Sequence, residues 1–184
     1  MLNQSQTYFD ILKIFNIAII VISVVVCSSL MLLRIPGMEL LETNPNWLLI
    51  WLVSWTLGRS TGQGAIAGLI MGWIYDGITG SDPSHVMAFV AIGVLTSKLQ
   101  KQKYIGEDFI SVAFVVFFMT FVCEAIFAFL YLRTYLLSIP QVWTKYQQIA
   151  IVSAIITSLW SPIFYYPFNL WQRRFKQLEK RIRN

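Results

Sequence analysis

The sequence predicts an all-α integral membrane protein: a bundle of six transmembrane helices with both ends of the chain in the cytoplasm. Three observations predict it. Of the 184 residues, 57% are hydrophobic and only 12% charged, with a mean hydropathy of +0.62; soluble domains carry about twice that charged fraction. The apolar residues come in long runs, so lipid is the solvent for most of the chain. The basic residues are also unevenly divided between the two sides that six crossings would create.

Taken in order, the spans are expected at 11–33, 46–58, 63–80, 84–100, 108–137 and 148–170, forming one polytopic domain over 1–170. The first run is long enough to cross with some tilt. "RIPGMELLETNPN", with Pro36, Gly37 and Pro45, reads as a loop, and "NWLLIWLVSWTLG" is an apolar run short for a full crossing. The third span is rich in glycine, "SDPS" turns into the fourth, and "KLQKQK" closes that one. The fifth is the longest, and "SIPQVWTKYQQ" reads as an interfacial loop before the sixth. With the N-terminus inside, Lys13, Arg59, Lys98, Lys101, Lys103 and six tail residues fall on the cytoplasmic side. Only Arg34, Arg133 and Lys145 fall outside, so the positive-inside rule selects this topology. A five-span version, with the short second run lying in the interface, fits the charges less well. The leading "MLNQSQTYFD" lacks positive charge and the run after it is too long for a signal peptide, so the first helix is expected to stay.

The third span carries the most specific pattern. In "GQGAIAGLIMGWIYDGITG", Gly64, Gly68, Gly72, Asp76 and Gly80 recur every four residues. Each interior glycine costs a helix about 0.5–1 kcal/mol relative to alanine. In lipid, helix association draws on close backbone approach more than on hydrophobicity, and a small-xxx-small face permits that approach. The row therefore predicts a groove that another helix fills. Asp76 lies in it where a charge is expensive, and two roles are open: tying its own bundle, to Arg34 or His85 at the same level, or meeting a partner protein.

Glu124, in the fifth run, forms a small-polar row with Thr120 and Ala128. It is expected to hydrogen-bond inside the bundle; a ligand or proton path is the sharper alternative. Trp47, Trp51 and Trp55 repeat at i+4. A membrane-interface belt accounts for one or two of them, lipid or internal packing for any one, and a docking stripe for all three. The segment 171–184, "WQRRFKQLEKRIRN", sets Trp171, Phe175, Leu178 and Ile182 on one face among Arg173, Arg174, Lys176, Lys180, Arg181 and Arg183. It reads as a basic amphipathic tail suited to anionic lipid.

No catalytic, metal or cofactor site is expected. His85 is the only histidine and has no acid or cysteine at ligand spacing. Cys27 and Cys123 sit in apolar runs and indicate no disulfide framework. Phosphate-loop, dinucleotide and nucleophile-elbow motifs are absent, and the loops are short for a soluble active site. In such a chain the net charge of +5 does not point to nucleic acid.

"RIPGMELLETNPNWLLIW", "GAIAGLIMGWIYDGITGSDPSHV" and "LTSKLQKQKYIGEDFI", in that order, resemble the rod shape-determining protein MreD family over nearly the whole chain. Pro36, Gly72, Asp76, Gly77, Gly80 and Ser81 carry most of the likeness. The resemblance implies a non-enzymatic inner-membrane subunit of the cell-elongation machinery. It would pair with the bitopic protein MreC and, through it, join MreB, RodA and a penicillin-binding transpeptidase in regulating peptidoglycan synthesis. It also implies a fold similar to the six-helix substrate-binding subunits of energy-coupling-factor transporters. A vitamin- or metal-binding subunit of that kind is the alternative, but the Ala-xxx-Ala face those proteins use on their first helix is missing here, where Ala18 stands alone.

Overall fold

The structure is a computed structural model that describes residues 2–33, 37–41, 43–99, 109–135 and 139–183. The elements among the described residues are helices: α1 (Leu2–Leu32), α2 (Trp47–Thr56), α3 (Thr61–Thr79), α4 (Val86–Leu99), α5 (Phe109–Tyr135) and α6 (Ile139–Arg183). Among the described residues, three helices carry stretches long and apolar enough to cross a membrane: Ile11–Leu32, Ile110–Tyr135 and Tyr146–Phe175. At 1.5 Å per residue, α2 is about 15 Å long, α4 about 21 Å and α3 about 28 Å, against a hydrocarbon core of about 30 Å.

The shortest helix is the centre. α2 packs against each of the other five helices, and Leu48, Leu49, Ile50, Leu52 and Val53 are fully buried. Its N-terminal end is pinned through Asn46. The Asn46 side chain accepts from the Leu49 N–H at 3.0 Å, capping the first turn, and the Asn46 N–H donates to Thr157 Oγ1 of α6 at 3.1 Å. Around this hub stand two antiparallel hairpins, α3–α4 and α5–α6. A capping box starts α3, with the Gln63 N–H donating to Ser60 Oγ at 3.4 Å and the Ser60 N–H to Gln63 Oε1 at 3.3 Å. Gly80 ends it in the left-handed conformation, φ +60°, and donates its N–H to Asp76 O.

α1 packs on the rim of this assembly, where Cys27 is its residue in the buried core cluster. Only 6% of its most apolar window is buried. Trp51 Nε1 reaches across from α2 to donate to Ser23 Oγ at 2.8 Å, and Trp171 Nε1 of α6 donates to Asn16 Oδ1 at 3.4 Å.

α6 departs from the expected layout at both ends. The segment 139–148, expected as an interfacial loop, forms its first turns. Pro140 stands in the opening turn, where its missing N–H breaks no hydrogen bond, so it starts the helix. The tail expected as a separate unit from residue 171 continues the same helix to Arg183, for 45 residues in all. Pro162 interrupts the ladder by leaving Ser158 O without its i+4 donor. The Ser161 hydroxyl takes that carbonyl at 2.8 Å, which lets the helix run on. Of the sequence expectations, Arg34, Pro36, Lys101 and Lys103 lie outside the described residues.

Candidate functional site

The seam between α3 and α4 is where the glycine row does its packing. The neighbour the row meets is α4 of the same chain. A Cβ on Gly64 would run into Gly93 O and Ser97 Oγ, and one on Gly68 into Phe89 O and, at 2.7 Å, Val90 Cα. At Gly72 it would lie 2.6 Å from Val86 Cα. Gly93 meets Gly64 O in return, so the two backbones touch where both lack side chains. By contrast, Gly77 faces open space. The alpha carbons of α3 thus climb α4 in the sequence Ser97, Gly93, Phe89, Val86, at the three-to-four spacing of a helix face. The Gly93-xxx-Ser97 pair was the signal in the sequence that marks α4 as the complement of α3.

Asp76, the next member of the row, continues this ladder. The residue one step beyond Val86 is His85, and its backbone N–H donates to Asp76 Oδ1 at 2.9 Å and Oδ2 at 3.2 Å. Ser84 Oγ donates to Oδ2 at 2.6 Å, and Ser81 Oγ to Oδ1 at 3.4 Å. The carboxylate therefore sits on the N-terminus of α4, satisfying amide and hydroxyl donors where the helix dipole favours negative charge. His85 Nδ1 lies 3.2 Å from Asp76 Oδ1 and 3.0 Å from Ser81 Oγ. A carboxylate stands in a glycine row because it finishes the seam that the glycines open.

From His85 an aromatic column leads into the second hairpin. The imidazole stacks on Phe127 of α5, ring centroids 3.7 Å apart and 12° from parallel, with Tyr75 on another side at 4.5 Å. Phe127 meets Tyr131 and Tyr146, and Tyr131 meets Tyr135. Tyr135 OH donates to Asp82 O at 3.3 Å. The end of the molecule that carries Asp76 is thus knitted from the 80–85 turn, α5 and α6.

The remaining sequence-predicted residues are dispersed. Ser153 Oγ of α6 donates to Glu124 Oε1 at 3.4 Å, and Thr120 beside it is fully buried. Trp47 and Trp51 are buried within the bundle; Trp47 packs on Trp160 and Phe164 of α6, while Trp55 stacks on Trp51 and is half-buried. Arg173 and Arg174 are exposed on α6. Lys176, Lys180, Arg181 and Arg183 are placed on the α6 backbone, their side chains outside the described set. Among the described residues, no group of three or more His, Cys, Asp or Glu side chains is placed to hold a metal ion.

A family model described as the rod shape-determining protein MreD matches residues 12–177. No match is found among curated proteins or among solved structures.

Proposed function

The chain belongs to the rod shape-determining protein MreD family, and on that premise we propose that it is a non-enzymatic scaffold of the cell-elongation complex in the bacterial inner membrane. In this reading it crosses the membrane six times with both termini in the cytoplasm. It pairs with MreC and, through it, with MreB, RodA and a penicillin-binding transpeptidase. It stabilises an assembled state of the wall-synthesis machinery and turns over no substrate.

The observation that carries the reading is the reach of the family match, which runs through all six helices. The packing is consistent with it. The polar groups around Asp76 are engaged with one another, which suits a structural joint. The short α2 is wrapped by the other helices, a setting in which helix ends at membrane depth are tolerated. Since α4 lies on the glycine face, the helix of MreC would meet an outward surface instead, and α1 presents such a surface along most of its length.

Affinity purification of the full chain from nanodiscs, followed by mass spectrometry, tests the proposal. Recovery of MreC together with cell-wall synthesis proteins is expected. Recovery of paired ATPases with a transmembrane coupling subunit would replace it with the transporter reading.

A further inference from the structure

We propose that the groove between α1, α2 and α3 holds an acyl chain of one anionic phospholipid, whose phosphate is met by the guanidinium of Arg59. This goes beyond the scaffold reading and does not depend on it. It is also distinct from attraction of lipid to the basic tail.

The first observation is the groove itself, about 370 Å³ in volume, with Gln63 the one polar residue lining it. It exists because α1 does not close on α3: Val21 and Val25 stand on one side, Ile66 and Ile70 on the other. From Gln63 to Met71 it follows α3 for about 12 Å, close to the roughly 15 Å depth of one leaflet, half of a hydrocarbon core of about 30 Å. Water finds no partners on such walls, and an empty gap forfeits dispersion contacts, so a hydrocarbon chain is the fitting occupant.

The second observation lies at one end. Trp55 lines the groove, and the Arg59 guanidinium sits over its ring, 4.4 Å from the centroid. Arg59 Nε and Trp55 Nε1 are both buried with no hydrogen-bond acceptor. Among the described residues, no carboxylate pairs with Arg59. Half-buried beside Trp55, Arg59 has its pKa pulled below the usual arginine value by that burial. A half-buried cation with an orphaned Nε calls for an anion, and the adjoining groove calls for a hydrocarbon tail. An anionic phospholipid supplies both in one molecule. A zwitterionic lipid brings its own cation to compete with Arg59.

Native mass spectrometry of the purified full chain, titrated with phosphatidylglycerol or phosphatidylcholine of equal chain length, tests the site. One phosphatidylglycerol should be retained in preference to phosphatidylcholine. Arg59→Gln should weaken that retention about five- to tenfold, the size of one arginine–headgroup contact. Ile66→Trp should weaken it as well by filling the groove, and, because Ile66 is 63% exposed, without disturbing the core. Helical circular dichroism of both variants should match the parent. Equal retention of the two lipids, or unchanged retention in both variants, would overturn the proposal. Displacement of the lipid by inorganic phosphate alone would reduce the site to an anion contact and overturn the groove.

Discussion

The α3–α4 seam and the attachment of α1 differ in a way that runs against apolarity. The Ile11–Leu32 stretch of α1 has the highest mean hydropathy of the candidate spans, 2.6, and the least burial. α3, interrupted by glycines, is not among those spans, yet its backbone comes into direct contact with its neighbour's. Water drives an apolar helix into a protein core; lipid does not, because its tails are as apolar as the helix. Apolarity therefore places α1 in the membrane without telling it where to pack. The absence of side chains tells α3.

The largest effect that would break this contrast is at Gly68 and Gly72. Gly68→Leu and Gly72→Leu must push α4 away from α3, since the added atoms meet backbone and not flexible side-chain ends. A loss of about 3 kcal/mol or more, at the upper end of overpacking costs, is expected in detergent unfolding of the purified chain. Retention of parental stability in both would remove the seam as the source of order. Next comes Asp76→Ala, which strips the N-terminus of α4 of its acceptor. A loss of about 1–2 kcal/mol is expected, and Asp76→Asn should recover part of it because the amide oxygen still accepts.

A smaller effect sharpens the α1 side. Trp51→Phe removes the indole N–H that holds Ser23, and an interhelical hydrogen bond in a membrane bundle averages about 0.6 kcal/mol. Global stability should hardly change. Labelling of the buried Cys27 by a lipid-soluble maleimide should nonetheless quicken, because Ser23 lies one helical turn from Cys27 and this bond ties that stretch of α1 to α2. Unchanged labelling would mean that α1 is held by more than these polar contacts. The smallest effect is expected at Gly77→Ala, in the same helix but facing open space. Stability should stay level or rise by up to about 1 kcal/mol through helix propensity. A loss there as large as at Gly72 would show that glycine matters for its backbone freedom and not for the approach of α4.

These comparisons mark what could be read from residues alone. The six helices were legible as apolar runs, and the glycine face was legible because interior glycine at fixed spacing has few other uses. The complement was harder. Gly93 and Ser97 offer only one i, i+4 step in an otherwise greasy α4, and the contact is recognised only when the two helices are laid together. The central place of α2 left no trace, because a helix apolar on all sides looks the same whether it faces lipid or protein. The opening turns of α6 were missed for the reverse reason. Gln141, Thr144, Lys145, Gln147 and Gln148 end the apolar signal, but a helix can continue without one, since backbone hydrogen bonds and not apolar side chains define it. Asp76 was legible as an oddity; the partners that explain it are backbone and hydroxyl groups with no conspicuous pattern.

The length of α6, 45 residues, has a mechanical consequence. Its contour of about 67 Å is more than twice a hydrocarbon thickness of about 30 Å, so the helix is far longer than one crossing requires. Torque or tilt applied at one tip is delivered to the other through one covalent lever. Pro162 and Pro167 break its hydrogen-bond ladder, and at the first the Ser161 hydroxyl already splints the gap.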